Sequence, residues 1–363
     1  MSSPLDPVFF EEPELRSFTE QVFRKTGVAS EEAKIAADVL IEADLRGFDC
    51  HGLARLYPYF QRIKKGLIET RAQIEIKWLT PTTGCCDGGN GIGMIVGRYA
   101  MNACLQRAAE FGSAFLTVKR SNHFGIAGYF SSMALDSNMI GLAMCNASPR
   151  VVPTGGTTGV LGTNPISLAV PDEQGGAFIL DMSTSAVSSG KIDVALREGK
   201  KIPAGWVYPS VEPFLDSDGV APMSVLQYPL GGVKETGGYK GYGLALMVDI
   251  LAGVLSGANF GTRLAASKKS NTEAGIGHFF GAWQVSGFRS MEAFSRDIVL
   301  LCQDVKSSPL EPAVERIFIP GEPELLKKKA NQKEGIPILP ATIRQLEKIA
   351  AELNIVFSPK KKK

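Results

Sequence analysis

The chain has 363 residues, of which 44% are hydrophobic and 21% charged, a composition typical of a globular protein. Its 39 basic and 37 acidic side chains leave a net charge of +2, so no overall field attracts nucleic acid or a membrane surface. This length predicts two or three domains or one large α/β body.

Cysteine usage and the N-terminal sequence indicate the compartment. Six cysteines occur without a CxxC spacing, which predicts free thiols in a reducing compartment and no structural metal site. The first residues show neither a secretory nor a transit pattern, so we predict a cytoplasmic protein. The most apolar run, residues 243–255, contains Asp249 and is too short to cross a membrane. We interpret it as a buried helix.

The N-terminal third predicts helices over residues 12–26, 31–46 and 57–67, with Ser30 as the N-cap of the second. The junction before the third helix contains His51 and, four residues later, Arg55. An imidazole exchanges protons near neutral pH, and a guanidinium binds a carboxylate through two hydrogen bonds. This pair suits a 2-hydroxy or 2-oxo acid. A structural role for His51 at a helix end is the alternative.

Residues 73–79 predict a strand, which a glycine-rich loop at 88–93 and a helix at 94–111 follow. The spacing of Gly89, Gly91 and Gly93 is not that of a dinucleotide-binding GxGxxG motif, and no acidic strand end follows about 20 residues later. We therefore interpret this loop as structural. A strand at 114–118, a loop with His123, a helix at 128–137 and a strand at 139–145 come next.

The remaining sequence continues the alternation that predicts an α/β fold. We predict strands at 166–170, 178–181, 279–285 and 317–320, and helices near Val187 and over 291–306 and 341–353, with an irregular segment at 195–235 and a polar one at 265–275. Loops of small residues at 154–163, 181–190 and 237–243 allow backbone to approach a dinucleotide. We interpret His278 as a structural residue that hydrogen-bonds backbone.

Six sequence blocks carry a family resemblance. In order, they are His51-Gly52-x-x-Arg55, Ser121-Asn122-His123-Phe124-Gly125, Leu161-Gly162-Thr163-Asn164-Pro165, Asp181-Met182-Ser183, Lys240-Gly241-Tyr242-Gly243-Leu244 and Pro320-Gly321-Glu322. Together they resemble the malate/L-lactate dehydrogenase family, which also contains sulfolactate, ureidoglycolate and diketogulonate dehydrogenases and cyclic-imine reductases. The resemblance spans residues 8–325.

The resemblance implies an α/β, non-Rossmann, sulfolactate dehydrogenase-like fold. Residues 1–80 would form a helical N-terminal part and residues 81–290 a mixed-sheet cofactor-binding core. Residues 291–363 would pack back on the N-terminal region and end in a frayed basic tail. A homodimer is expected, with no membrane or nucleic-acid partner.

The resemblance also implies the site. His51 would be the proton donor, although some family members have been assigned the counterpart of His123 instead. Arg55 would contact the substrate carboxylate and the cofactor, and Lys240 would lie near the substrate. The cofactor would be NAD, with NADP left open, and no metal would be needed. Its implied binding residues are Arg55, His123, Phe124, Gly125, Ile126, Ala127, Thr163, Asp181, Met182, Ser183, Ser189, Gly190, Gly321 and Glu322.

Two positions depart from the family pattern. Many members have Ser where this chain has Cys50, and a thiol is the weaker hydrogen-bond donor. Some members have an acid where this chain has Lys191, so a Ser-His-Asp relay is not expected here. Either another group orients His51, or His123 carries more of the proton transfer.

The sequence therefore predicts an NAD(P)-dependent oxidoreductase that interconverts an L-2-hydroxy acid and a 2-oxo acid, with malate and oxaloacetate as the first substrates to test. A cyclic-imine reductase acting on piperideine- or pyrroline-2-carboxylate is the second hypothesis. A catalytically silent cofactor-binding protein is the third.

Overall fold

A computed structural model describes residues 6–172, 177–197, 199–209, 225–264 and 272–362. The strands are β1 (Val8–Phe10), β2 (Glu75–Trp78), β3 (Thr83–Asp87), β4 (Ser113–Ser121), β5 (Met139–Cys145), β6 (Ile166–Pro171), β7 (Ala177–Met182), β8 (Ile276–Gln284) and β9 (Ile336–Ile338). The α-helices are α1 (Glu12–Lys25), α2 (Ser30–Leu45), α3 (Leu56–Lys64), α4 (Gly93–Phe111), α5 (Ala127–Ser132), α6 (Ser189–Arg197), α7 (Gly238–Val248), α8 (Met291–Lys306), α9 (Glu322–Glu334) and α10 (Pro340–Leu353).

The central sheet has seven strands in the order β2-β3-β4-β8-β5-β6-β7. Only the pair β3 and β4 is parallel, and the other neighbouring pairs in this sheet are antiparallel. A Rossmann sheet is mostly parallel, so the predicted mixed, non-Rossmann α/β class is confirmed. Strands β4 and β8 lie at the centre, and their alternate residues, such as Leu116 and Phe280, are buried against α4 and α5.

The N- and C-terminal segments form one layer. The short strand β9 pairs antiparallel with β1, with Val8 opposite Ile338. Helix α9 contacts α2, and helix α10 contacts both α1 and α3. Helix α2 is buried on most of its surface, because α1 covers one side and α4 and α9 cover others. This layer positions the end of α2, from which the His51 segment begins.

Three local predictions were wrong. Residues 243–255 are not fully buried: α7 runs into a π-helical turn at Asp249–Val254, one face of which packs on β8 while Ile250 remains 48% exposed. Residues 317–320 form no strand. Pro320 O accepts one hydrogen bond from Ile179 N of β7, but no further ladder hydrogen bonds follow it. Ser30 is the first residue of α2, and Ala29 occupies the N-cap position.

Other differences concern short or partly described segments. The predictions did not include β1, β3, α9 or β9, because three- to five-residue strands carry little periodicity and α9 is largely polar. The predicted irregular segment overlaps the end of α6, and its residues 198 and 210–224 lie outside the described residues, as do residues 265–271 of the polar segment. In the described part of the chain, no helix is both long and apolar enough to span a membrane.

Candidate active site

The segment that carries His51 is held against the end of α2. Asp44 Oδ2 accepts a hydrogen bond of 2.8 Å from Leu53 N, and burial raises the pKa of Asp44 well above its usual value. Gly52 lies so close to this carboxyl group that a Cβ atom would stand 1.9 Å from Asp44 Oδ1. A glycine is therefore required next to His51. Residues Leu53–Arg55 then form a 3₁₀ turn that leads into α3.

His51 and Arg55 lie together at this turn. Cys50 Sγ is 3.1 Å from His51 Nδ1, and Arg55 Nε donates a 2.7 Å hydrogen bond to Cys50 O. Burial, and secondly the charge of Arg55, lower the pKa of His51 to about 3, so its imidazole is neutral at physiological pH. Among the residues that the structure describes, no carboxylate pairs with the Arg55 guanidinium. Its cationic group is available to a carboxylate ligand.

His123 comes to the same place from the end of β4. Its ring stacks on His51 with a centroid distance of 5.6 Å and an interplanar angle of 18°. Burial is the main cause that lowers the pKa of His123 well below its usual value, with His51 and Arg55 adding to it. Tyr59 of α3 hydrogen-bonds to His123 Nδ1. The structure thus brings His51, Arg55 and His123 together from two distant segments.

The glycine-rich loop at 88–93 supports the His123 loop. Asn122 Nδ2 donates hydrogen bonds to Asn90 O and Gly91 O, and a Cβ atom on Gly93 would stand 2.0 Å from Asn122 O. These contacts agree with the interpretation of this loop as structural. His278 is fully buried and stacks on Phe124, but its Nε2 contacts Ser121 Oγ at 2.8 Å instead of the predicted backbone group.

Cys50 faces the start of α6. A Cβ atom on Gly190 would stand 2.0 Å from Cys50 Cβ and 2.4 Å from Cys50 Sγ, so the Gly190 backbone packs directly against the Cys50 side chain. Burial is the main cause that raises the pKa of the Cys50 thiol, and the negative charges of Asp49 and Asp193 add to this effect while Arg55 opposes it. Lys191 is exposed, whereas Asp193 is 5% exposed. A buried acid thus lies near Cys50, three positions beyond Gly190 and not directly after it, which is the position that the family pattern indicates.

A cavity of about 220 Å³ lies beyond this site, between β7 and the start of α9. Its lining includes the predicted residues Asp181 and Gly321, together with Arg46 and Phe48, which the sequence analysis missed. Asp181 Oδ2 accepts a 2.7 Å hydrogen bond from Gly128 N, and burial raises its pKa to about 6. The sequence feature that could have indicated Arg46 and Phe48 as lining residues is their position directly after α2, in the segment that leads to His51.

Glu322 does not line this cavity. Its carboxylate pairs with Lys306 and accepts a 2.9 Å hydrogen bond from Ile319 N, so it closes the turn before α9. Lys240 is exposed at the start of α7, with Nζ 5.8 Å from the centre of the Tyr239 ring. Within the described part of the chain, no hydrogen bond or ion pair joins Lys240 to the paired histidines.

The other predicted cofactor residues differ in their local surroundings. Phe124, Ile126 and Ala127 have buried side chains, so a cofactor would meet their backbone. The carbonyl of Thr163 accepts hydrogen bonds from Thr184, and Met182 is the last residue of β7. Ser183 Oγ accepts a hydrogen bond from Ser185, and Ser189 Oγ accepts one of 2.9 Å from Gln227. Gly125 has a φ of +86°, which favours glycine.

A mixed-sheet α/β fold with paired imidazoles beside an available guanidinium is the arrangement expected of a hydroxy-acid dehydrogenase. The model of the malate/L-lactate dehydrogenase family matches residues 10–347, and the chain belongs to this family. The chain is 40% identical over 350 residues to the malate dehydrogenase of Pyrococcus abyssi, with 94% of each chain covered. It is 37% identical to the L-sulfolactate dehydrogenase of Methanocaldococcus jannaschii, covering 92% of this chain and 94% of that protein. The solved malate dehydrogenase of Pyrococcus horikoshii OT3 superposes with a TM-score of 0.88 at 35% identity, with 97% of each chain covered.

Proposed function

We propose that this protein is an NAD(P)-dependent oxidoreductase that interconverts an L-2-hydroxy acid and its 2-oxo acid, with malate and oxaloacetate as substrates. The observation that carries the proposal is the meeting of His51, His123 and Arg55 at one site, with the guanidinium not paired to any described carboxylate. Hydride transfer from a hydroxy acid requires a base for the hydroxyl proton and a cation for the carboxylate.

In the proposed reaction, Arg55 holds the C1 carboxylate and His51 exchanges the proton of the C2 oxygen. A neutral His51 is ready to accept the hydroxyl proton during oxidation of the hydroxy acid. The charge of Arg55 lowers the pKa of His51, so a carboxylate bound to Arg55 raises it. Binding of a 2-oxo acid therefore favours the protonated imidazole that reduction needs.

The cavity residues fit a dinucleotide, which supplies the hydride acceptor or donor when bound. Phe48 offers an aromatic face, and Asp181 a carboxylate of the kind that binds ribose hydroxyl groups. Arg46 adds a guanidinium whose Nε already pairs with Glu42 at 2.7 Å. The backbone of residues 123–127 and the small residues Ser189 and Gly190 would face the nicotinamide end. NAD is the proposed cofactor, and NADPH is tested beside it.

The test is oxidation of NADH and NADPH with oxaloacetate, pyruvate, sulfopyruvate and piperideine-2-carboxylate, in wild type, His51→Ala and His123→Ala. We expect oxaloacetate to be reduced fastest, and His51→Ala to lose more activity than His123→Ala. If piperideine-2-carboxylate is reduced faster than oxaloacetate, the substrate class is cyclic imines and not 2-oxo acids. Cofactor binding without turnover of any acid would support a silent binding protein instead.

We also propose that the protein is a homodimer. The face of α7 and its π-helical turn exposes Ile250, Val254 and Leu255 by 48%, 52% and 59%, and α8 exposes Leu300 and Leu301 by 51% and 59%. Exposed apolar side chains that lie together on a helix are typical of protein contacts, and a second copy of this chain is the partner that we propose for both helices.

Light scattering after size-exclusion chromatography tests the dimer. We expect a dimer for wild type and for the surface control Leu79→Glu, and a monomer for Ile250→Glu, because the new charge would be buried unpaired. A monomeric wild type would overturn this proposal. The six cysteines are free thiols, which supports the proposed cytoplasmic location.

A further inference from the structure

The hydroxyl group of Tyr59 is directed at His123. Tyr59 lies on α3 and is only 4% exposed, and its Oη atom contacts both Nδ1 and the carbonyl oxygen of His123, the latter at 3.3 Å. The two residues are 64 positions apart in the chain. This contact therefore links the helix after Arg55 to the loop after β4.

A second hydrogen bond establishes the direction of the first. Gly125 N is 3.3 Å from His123 Nδ1, and a backbone amide can only donate. Nδ1 is therefore an acceptor without a proton, and the single O–H proton of Tyr59 goes to Nδ1, which is closer to Oη than the carbonyl oxygen of His123 is. A neutral imidazole carries one proton, which is then on Nε2. Gly125 can take this position because it has no Cβ, which would stand 2.5 Å from a methyl carbon of Val39.

The two stacked imidazoles are consequently not equivalent. His51 has a thiol at its Nδ1, which is a weak donor and acceptor, whereas Nδ1 of His123 is held by a phenol and an amide. Both rings lie near the positive charge of Arg55, which disfavours protonation of the two together. His51 is thus suited to exchange a proton, and His123 is suited to keep one.

We propose that Tyr59 is a positioning residue that holds His123 in the neutral form protonated at Nε2, so that His123 donates a hydrogen bond to the C2 oxygen of the substrate and is not the base. The inference rests on the proposed function, because that oxygen belongs to the acid bound by Arg55. During oxidation, His51 would take the hydroxyl proton and His123 would keep its Nε2 proton throughout, while a bound dinucleotide would supply the acceptor for the hydride of C2.

Nitrogen NMR of protein with isotopically labelled histidine tests the proposal without substrate. The chain has 3 histidines, so single substitutions assign each signal. We expect wild-type His123 to be unprotonated at Nδ1 and protonated at Nε2. In Tyr59→Phe, which keeps the ring, a fraction of His123 should shift its proton to Nδ1. The control is Tyr129→Phe, which loses hydrogen bonds of 2.6 Å to Asp38 and Arg98 elsewhere and should leave the His123 signals unchanged.

Kinetics provide the second measurement. Tyr59→Phe should lower kcat for malate and oxaloacetate roughly ten-fold, the loss expected for one hydrogen bond, with the KM for the cofactor unchanged. A wild-type His123 protonated at Nδ1 would overturn the proposal even if the variant fails to fold. So would a Tyr59→Phe protein with wild-type signals and kcat. If no acid is turned over but the His123 signals shift as expected, the proposed function fails and only the holding of His123 by Tyr59 remains.

Discussion

Replacement of Gly52 by alanine tests how the His51 segment is held. The new Cβ atom would stand 1.9 Å from Asp44 Oδ1 and 2.1 Å from Cγ, whereas real Cβ contacts under 3.0 Å essentially do not occur. Either the Asp44 side chain or the 52–53 backbone must therefore move by about 1 Å. Movement of either one weakens the hydrogen bond from Leu53 N to the buried carboxyl group.

We expect Gly52→Ala to lower the free energy of unfolding by about 2–4 kcal/mol, which combines overpacking with a strained buried hydrogen bond. A displacement of about 1 Å beside His51 should also lower kcat/KM roughly a hundred-fold. Urea denaturation and steady-state kinetics measure the two effects. The matched control is Gly287→Ala, since Gly287 has open space around its Cβ position and should change stability by less than about 0.5 kcal/mol.

A double-mutant cycle identifies the cause. In an Asp44→Ala background the carboxyl group is absent, so adding Gly52→Ala should cost much less than it does in the wild-type protein. The reasoning is refuted if Gly52→Ala unfolds within about 0.5 kcal/mol of wild type and keeps its kcat/KM. An equal cost in both backgrounds would place the strain elsewhere.

Three further predictions follow from the charges in the site. Arg55→Lys should lower kcat/KM roughly a hundred-fold, because an ammonium cannot reproduce the bidentate contact; near-normal turnover in the cofactor assay would remove Arg55 from the site. The pH profile of kcat/KM for malate oxidation should show no loss of activity as pH falls from 8 through about 6.5, since the pKa of His51 is lowered to about 3; a descending limb at the ordinary histidine pKa would contradict this. Stability should fall as pH decreases from about 6.5 to 5, because His51, His123 and the buried His278 have lowered pKa values in the folded protein and the unfolded chain binds the protons. The raised pKa values of Asp44 and Asp181 act in the opposite direction, and we expect the three histidines to outweigh them; urea midpoints independent of pH over this range would refute this.

Local patterns in the sequence were sufficient for the long periodic elements. The predicted helix at 291–306 is Met291–Lys306, and the predicted strand at 139–145 is Met139–Cys145. Such elements follow from the spacing of apolar residues within a few turns or pleats. The proximity of His51 and Arg55 could also be predicted from the sequence, because His51 lies just before the 3₁₀ turn that ends at Arg55.

The tertiary structure decided what depends on distant contacts. The stacking of His123 on His51, the donation from Tyr59 to His123 and the approach of Asp193 to Cys50 each join segments more than 60 residues apart, and no local pattern reports such a distance. The sheet order and the exposed face of α7 likewise result from which elements pack together. The sequence by itself determined which chemical groups this protein possesses; only the packing of α2, α3 and α6 around the β4 loop determined which of those groups meet.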